Sequence, residues 1–333
     1  MRWTARWRNS ACRCVRQQAS ASEGFLPDGT LRRMNIFITG AAGYIGGSVA
    51  MALLAAGHRV RGLTRSAATA ERLARSGVEP VLGSLDDADL LAREARAADA
   101  VINAASSDHA GAVRALIVGL ESSHKPLLHT SGSSVIGDDA RGNRASDSVF
   151  DDEGMRLVVH PIRQPRRDID LLVLGATASA IRSAVICPSL IYGVGRGLNP
   201  SSVQVPFLVN NAREHGVVQT VGSGANVWSN VHIDDVVALY VLALSRAPAG
   251  AFYFAENGEA SFGDIGAAIA KRLGLARVEA LPAEVAAARW GESKAYFTLG
   301  SNSRVRGRRA RRELGWAPRH ASVTDWILTE MPV

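Results

Sequence analysis

Short apolar runs alternate along the chain with Ala- and Leu-rich stretches in which apolar residues recur every three or four positions. A short apolar run is typical of a buried strand, and the longer period is typical of a helix packed on one face. Their alternation predicts βαβ units around a parallel sheet. The predicted strands are Asn35–Thr39, Arg59–Thr64, Pro80–Leu82, Ala100–Ala104, Pro126–Thr130, Arg182–Cys187 and Ala251–Ala255.

Local end signals mark several helices. Ile45–Ala56 is predicted as a helix that ends at Gly57, because glycine readily adopts the left-handed conformation found after helix C-termini. Ser261 and Asp264 have the spacing of a capping box and predict the start of a later helix. Tyr192–Gly224 is rich in Gly, Asn, Ser and Val without a clean period, so we expect an inserted loop and cap there.

Composition narrows the class of protein. The 333 residues are 47% hydrophobic, which is enough for a large core. The longest strongly apolar runs fall far short of the roughly 20 residues of a membrane-spanning helix, so we expect a soluble, cytoplasmic protein and no membrane partner. Beyond residue 33 the chain has one cysteine, Cys187. A disulfide framework and a Cys-based zinc site are therefore excluded there, and we expect no metal.

Positive charge is concentrated at the start of the chain. Residues 1–33 hold seven Arg against Glu23 and Asp28, and so carry most of the net charge of +7. This segment has no hydrophobic periodicity, whereas Met34 stands directly before the first strand pattern. We expect residues 1–33 to be an unstructured extension ahead of a natural start at Met34. A mitochondrial-type targeting segment is the alternative.

The segment IFITGAAGYIGG carries the strongest functional signal. It places Gly40, Gly43 and Gly46 at three-residue intervals, directly after the first strand and into the first helix. Glycine lets the backbone approach a pyrophosphate closely, while free N–H groups and the positive end of the helix dipole face the negative charge. The turn, with Tyr44 and Ile45, is predicted to bind the pyrophosphate of a dinucleotide.

Six motifs together carry a family resemblance. They are TGAAGYIG (Thr39–Gly46), VINAA (Val101–Ala105), HTSGSSVIG (His129–Gly137), CPSLIYGVG (Cys187–Gly195), VHIDDVVALY (Val231–Tyr240) and ELGWAP (Glu313–Pro318). With these residues the chain resembles the extended or atypical short-chain dehydrogenase/reductases, and in particular the NAD-dependent epimerase/dehydratase-like branch. The resemblance implies an α/β fold, with a doubly wound parallel (Rossmann) sheet, a smaller C-terminal substrate-binding lobe and a homodimer.

The resemblance also divides the chain. Residues 34–191 are predicted to form the dinucleotide-binding Rossmann domain, which also receives residues 228–256. Residues 192–227 and 257–330 are predicted to form the substrate-binding lobe.

The end of the second strand distinguishes between the two dinucleotides. An acidic residue there would bind the adenosine ribose of NAD, whereas a basic residue suits the extra phosphate of NADP. This strand is followed by Arg65, with no Asp or Glu nearby. NADP is therefore favoured, and NAD is the alternative. The other interpretation of Arg65 is a solvated surface arginine with no role in cofactor binding. Ala104 and Ala105, after the fourth strand, are predicted to line the cofactor cleft.

The proton-transfer motif of the superfamily is absent. Its members carry a Tyr-x-x-x-Lys in which tyrosine moves a proton during hydride transfer and lysine lowers its pKa. No Tyr-x-x-x-Lys occurs in this chain. Matching Asp170 to an acidic position of the family places Ile162 in the Tyr position and Arg166 in the Lys position. Arg166 is predicted to supply positive charge, or to be a surface residue, and its high pKa prevents it from relaying protons.

The family also carries a Ser or Thr after the fifth strand. HTSGSSVIG places Gly132 at that position, with Ser131 and Ser133 on either side, and either serine is predicted to orient the substrate oxygen. The alternative is a structural hydrogen bond. Further candidates for proton transfer are His109, His160 and Tyr192.

Two further features concern the partner. Family members that act on nucleotide sugars carry an Arg shortly before the Val-His motif, where this chain has Trp228 or Ser229. We therefore expect a smaller or less charged substrate. The run RVRGRRARR (Arg304–Arg312) lacks the aromatic residues typical of nucleic-acid binding. A solvated helix face is the favoured reading, with no nucleic-acid partner.

Three functions remain open at this point. The first is an NADP-dependent oxidoreductase on a small carbonyl or hydroxyl compound, the second is a non-catalytic NADP-binding regulator or sensor, and the third is a nucleotide-sugar epimerase or dehydratase.

Overall fold

A computed structural model describes residues 33–154, 157 and 159–332. The extension predicted for residues 1–33 lies outside the described residues, apart from Arg33. The strands are β1 (Asn35–Thr39), β2 (Arg59–Thr64), β3 (Glu79–Leu82), β4 (Ala100–Asn103), β5 (Pro126–Thr130), β6 (Phe150–Asp151), β7 (Arg182–Pro188), β8 (Leu190–Tyr192), β9 (Val218–Val221), β10 (Val227–His232), β11 (Ala251–Ala255), β12 (Glu259–Ser261), β13 (Val278–Leu281) and β14 (Val305–Arg306). The α-helices are α1 (Tyr44–Ala55), α2 (Ala67–Arg75), α3 (Ala88–Ala97), α4 (Ala110–Leu120), α5 (Gln164–Gly175), α6 (Gln204–His215), α7 (Ile233–Arg246), α8 (Phe262–Leu273), α9 (Ala283–Trp290), α10 (Arg308–Leu314) and α11 (Val323–Thr329).

The seven predicted strands all lie in one sheet. Its order is β11-β7-β5-β4-β1-β2-β3, and every neighbouring pair is parallel. The chain moves outward from β1 to β3 and then returns to β4 on the other side of β1. This reversal opens a crevice at the carboxyl ends of β1 and β4, where ligands bind in doubly wound folds. The predicted fold class is confirmed.

Both faces of the sheet are covered, as β1 illustrates. Ile36 and Ile38 pack in a buried cluster with residues of α1 and α7. Phe37, between them, points to the other face and packs in a cluster with residues of α3 and α4. Alternate side chains of a strand point to opposite faces, so a continuous apolar run is what a strand buried on both faces requires.

Another buried cluster is formed by residues between Leu190 and Met331, including those of α6, α8 and α11. The loop expected over Tyr192–Gly224 is wrong in part, because this stretch contains α6 and β9. The buried positions of α6 include 205, 208, 209 and 212, which is helical spacing. The β-branched residues and Pro206 in its first turn obscured that period in the sequence.

The helix start predicted at Ser261 is confirmed. Its Oγ accepts a hydrogen bond from the Asp264 N–H at 2.9 Å, and α8 follows. The predicted helix after β1 is also observed, as α1, with Gly57 in a left-handed conformation close after it. Within the described part of the chain, no helix is long and apolar enough to cross a membrane. The division of the chain into domains stays a prediction.

Candidate functional site

The glycine turn lies at the crevice between β1 and β4. Gly40 has φ +78°, a conformation that L side chains rarely adopt, and a Cβ on it would lie 2.6 Å from the Ala104 carbonyl oxygen. A Cβ on Gly46 would overlap the Gly40 carbonyl oxygen. Gly43 N–H donates to that same carbonyl at 2.8 Å. Side chains are therefore excluded at Gly40 and Gly46, where the strand turns into the helix.

Two cavities meet at this turn and share Gly43, Ala104 and Ala105 as lining residues. The first, which we call the Arg65 cavity, has a volume of about 570 Å³ and is bounded by Arg65 and by Ser66 at the start of α2. The second, which we call the Ser131 cleft, has a volume of about 440 Å³. A dinucleotide with its pyrophosphate on the turn would extend one half into each.

The Arg65 side chain is exposed and has no ion pair within the described ranges. His109 also lines the Arg65 cavity, where its Nε2 lies 3.1 Å from Asp86 Oδ1. Its Nδ1 accepts the Ala112 N–H at the start of α4. His109 is therefore placed on the side of the turn away from Ser131.

The Ser131 cleft is lined by hydroxyl, amide and apolar side chains, and none of its described lining residues carries a formal charge. Beyond the turn, its lining residues are Ser131, Gly132, Ser133, Ser134, Pro188, Ser189, Ile191, Asn199, Ser201, Ser202, Val203, Gln204, Trp228 and Thr298.

Ser131 and Ser133 differ in what their hydroxyl groups contact. The Ser303 hydroxyl lies 2.7 Å from Ser133 Oγ and 2.9 Å from the Ser133 carbonyl oxygen. The Ser131 hydroxyl is enclosed and has no hydrogen-bond partner in the described part of the chain. Ser133 is thus engaged in a structural hydrogen bond, and Ser131 is not.

Arg166 is held by two other side chains. Its Nε donates to Asp108 Oδ1 at 2.7 Å and a terminal nitrogen donates to Asp108 Oδ2 at 2.6 Å. Its other terminal nitrogen donates to Ser134 Oγ at 2.8 Å. Ser134 lines the Ser131 cleft, so it joins this cation to the cleft. The sequence reasoning missed Ser134, although it is the third serine of the same HTSGSSVIG motif.

Residues 36–253 match the NAD dependent epimerase/dehydratase family. The chain belongs to this family. The family and the oxidase and reductase relatives make it an NAD(P)-dependent enzyme of the oxidoreductase-like type.

Two known proteins are similar to this chain over most of their own length. Oxidase ucsJ of Acremonium sp is 35% identical, covering 85% of this chain and 92% of the relative. The 4-hydroxy-2-methyl-3-oxo-4-farnesyl-3,4-dihydroquinoline-1-oxide ketoreductase of Stigmatella aurantiaca is 28% identical, covering 86% and 92%. Among solved structures, dTDP-glucose 4,6-dehydratase from Bacillus anthracis in complex with NAD superposes with a TM-score of 0.70 at 18% identity, covering 89% of this chain and 95% of that one. At that identity the likeness shows the fold.

Three positions considered for proton transfer lie outside the Ser131 cleft. Ile162, in the position of the family tyrosine, is exposed in a short 3₁₀ segment before α5. His160, just before it, lines a different cavity, and its ring centroid lies 5.3 Å from that of Phe297. The buried Tyr192 donates to the His320 carbonyl at 3.0 Å. These three residues are therefore placed away from the Ser131 cleft.

Tyr44 is the titratable residue among the lining residues of the cleft. Its hydroxyl lies 2.9 Å from the Gly193 carbonyl oxygen and 3.1 Å from that of Tyr192. Burial, with a further contribution from Asp234, raises the pKa of Tyr44 far above its ordinary value. A tyrosine in that state holds its proton and does not exchange it near neutral pH.

A buried hydrogen-bonded chain forms the floor of the crevice. Thr39 Oγ1 donates to Asn103 Oδ1 at 2.6 Å, and Asn103 Nδ2 lies 3.0 Å from His129 Nδ1. Thr39 is the last residue of β1, Asn103 is the last residue of β4, and His129 lies within β5. The pKa of His129 is lowered to about 4, mainly by burial and to a smaller extent by the positive charge of the nearby Arg166. The imidazole is therefore neutral and acts as part of the scaffold.

Proposed function

We propose that this family member is an NADP-dependent oxidoreductase that acts on a small, uncharged carbonyl or hydroxyl compound. The observation that carries the proposal is the Ser131 cleft, which adjoins the glycine turn and has no charged side chain among the lining residues that the structure describes. A site that recognises a charged group needs paired charges or several aimed donors. Hydroxyl, amide and apolar groups instead suit a neutral oxygenated molecule.

For the cofactor, we propose that Gly40, Gly43 and Gly46 hold the pyrophosphate, with Tyr44 and Ile45 adjoining it. Bound there, the dinucleotide would supply or accept a hydride. Ala104 and Ala105 would line its path between the two cavities. Arg65 supports the choice of NADP over NAD, because a guanidinium without an ion pair is available to a 2′-phosphate.

For the substrate, we propose that Ser131 or Ser133 orients the reacting oxygen, and the free hydroxyl favours Ser131. Arg166 would supply positive electrostatic potential through Ser134. Trp228 or Ser229 occupies the place where an arginine is expected for nucleotide sugars, and Trp228 lines the cleft. Its indole is buried, and its Nε1 donates to the Ser301 carbonyl at 2.7 Å. This packing argues for a smaller substrate than a sugar nucleotide, in keeping with the ketoreductase and oxidase relatives.

A second candidate is a non-catalytic NADP-binding regulator. The exposed Ile162 favours it, because the position that holds the family's proton-transferring tyrosine cannot move a proton here.

The test is to incubate purified protein with NADPH, NADH or neither cofactor and with three groups of compounds. These are neutral ketones, ketoacids and nucleoside diphosphate sugars. Consumption of NADPH with neutral ketones alone is the expected result. Tight NADPH binding with no turnover would support the regulator, and conversion of the sugar nucleotides would support an epimerase or dehydratase.

For partners, we propose a homodimer with no nucleic-acid partner, in the cytoplasm. Val118 on α4 and Leu171 on α5 are exposed apolar side chains on two neighbouring sheet-flanking helices. The arginines of the basic run pair with carboxylates of the same chain, which leaves little charge for phosphate. The pairs are Arg304 and Arg306 with Glu259, Arg308 and Arg312 with Glu153, Arg309 with Glu313, and Arg311 with Glu256. Light scattering after gel filtration of the wild type and of Val118→Asp would test the dimer.

A further inference from the structure

A buried carboxyl lies behind the residue that follows β5. Asp170, in α5, has no exposed surface, and neither of its carboxyl oxygens has a hydrogen-bond partner within the described ranges. Burial raises the pKa of this carboxyl, and the largest contribution that lowers it comes from the enclosed hydroxyl of Ser131. Ser131 itself lines the cleft. One serine therefore separates a buried acid from the site of the proposed reaction.

Arg167 is the charged group that most favours the ionised form of Asp170, and it does so without a hydrogen bond. A terminal nitrogen of Arg167, on the same helix, lies 3.9 Å from Asp170 Oδ2, which is too far for a hydrogen bond. Arg166, also on α5, favours the ionised form, whereas Asp108, on the segment before α4, opposes it. Cys187, on β7, also faces the carboxyl, and burial raises the pKa of its thiol, which stays protonated.

Burial outweighs these contributions and raises the pKa of Asp170 to about 6. A carboxyl whose oxygens accept no hydrogen bond from the described residues, and whose nearest cation lies 3.9 Å away, is costly to bury when it is ionised. An acid whose pKa lies near the working pH is also what general acid catalysis requires. The Ser131 cleft has no other group with this property among its described lining residues.

We propose that Asp170 is the proton source for the reaction in the Ser131 cleft and delivers its proton through the Ser131 hydroxyl. This inference rests on the proposed oxidoreductase function. Because Asp170 acts through Ser131, it is a positioning residue, and Ser131 is the residue that touches the substrate.

Reduction of a carbonyl group consumes one hydride and one proton. When bound, a reduced nicotinamide dinucleotide supplies the hydride that the carbonyl carbon accepts. The Ser131 hydroxyl, rotated toward the cleft about its Cα–Cβ bond, gives its proton to the carbonyl oxygen as the π bond breaks. Ser131 Oγ takes the proton of Asp170 in return. The products are an alcohol, the oxidised dinucleotide and the Asp170 carboxylate. The carboxylate takes up a solvent proton through the same hydroxyl after the alcohol leaves.

The experiment compares the wild type with Asp170→Asn, which keeps the shape and removes the acid. Asp168→Asn is the matched control, since Asp168 lies on the exposed side of the same helix. For the wild type and the control, kcat for reduction of a neutral ketone should fall roughly tenfold per pH unit above pH 6. For Asp170→Asn, kcat should be about 100-fold lower at pH 6 and should lose this dependence on pH. NADPH affinity should be unchanged.

A second readout is independent of turnover. Infrared difference spectra of the cofactor-free protein should show a protonated carboxyl band that titrates near pH 6 in the wild type and is missing in Asp170→Asn. If Asp170→Asn does not fold, Ser131→Ala should show the same flattened kcat profile.

The outcomes separate the two proposals. Wild-type turnover with an unchanged pH profile in Asp170→Asn or Ser131→Ala overturns the relay and leaves the oxidoreductase function standing. Absence of the titrating band also overturns the relay. Absence of all wild-type turnover overturns the proposed function.

Discussion

The guanidinium group of Arg166 lies against the carboxylate of Asp108, with two hydrogen bonds of 2.7 and 2.6 Å. The Arg166 hydrogen bond is the main cause that lowers the pKa of Asp108. Arg166 has 16% of its side chain exposed, whereas Asp108 has 59%. The exposed Asp108 therefore holds the Arg166 guanidinium in place beside the Ser131 cleft. We expect this ion pair to contribute to the position of Arg166 more than to the stability of the protein.

Arg166→Lys tests that geometry. A lysine keeps the charge but cannot form the paired hydrogen bonds to Asp108 and reach Ser134 as well. We expect kcat/KM to fall about tenfold, which corresponds to about 1.4 kcal/mol of transition-state stabilisation. The free energy of unfolding in urea should change by less than about 1 kcal/mol. The control is Arg114→Lys on the exposed face of α4. Equal kcat/KM values in both variants would contradict a role for Arg166.

Gly46→Ala tests the glycine turn. The added Cβ would overlap the Gly40 carbonyl oxygen and displace the turn from the end of β1. We expect NADPH affinity, measured by titration calorimetry, to fall more than about tenfold. Gly175→Ala is the control, because a Cβ there meets no atom within 4 Å. Wild-type affinity in Gly46→Ala would show that the pyrophosphate binds elsewhere.

Arg65→Ala tests the cofactor preference. Hydrogen bonds to a charged group contribute about 1.5–3 kcal/mol, so the Kd for NADPH should rise about 10- to 100-fold. The Kd for NADH should stay the same, since NADH lacks the 2′-phosphate. Arg75→Ala, on the exposed side of α2, should leave both affinities unchanged. If Arg65→Ala weakened NADH and NADPH equally, the assignment of NADP would lose its basis.

His129 should make stability depend on pH. Its pKa in the folded protein is about 4, below the roughly 6.5 of an unfolded chain. The unfolded state therefore takes up a proton that the folded state excludes. The contribution of His129 to stability is complete above pH 6.5 and is lost as the pH falls toward 4.

The measurement is urea unfolding at several pH values for the wild type and His129→Asn. The variant cannot titrate, so the difference in unfolding free energy between the two proteins should shift by about 3 kcal/mol between pH 7 and pH 4. His124→Asn, at an exposed position with φ +56°, is the control. A difference that stays constant with pH would mean that the imidazole is not held neutral.

The sequence by itself predicted the sheet and the cofactor turn. The central strands β1, β4 and β5 are short, largely apolar runs between helical segments, as strands buried on both faces require. Gly40 and Gly46 were visible because a backbone that admits no Cβ leaves a glycine in the sequence. The helix α6 was missed because its apolar period is mixed with β-branched residues and a proline.

Only the tertiary structure decided which residues meet at the Ser131 cleft. The sequence left Ser131 and Ser133 equivalent, and packing against Ser303, far along the chain, engages one of them. It also gave no reason to pair Arg166 with Asp108, or to place Asp170 behind Ser131. Local patterns determine the elements because they reflect local geometry. The site depends on how distant elements pack, and no local period records that.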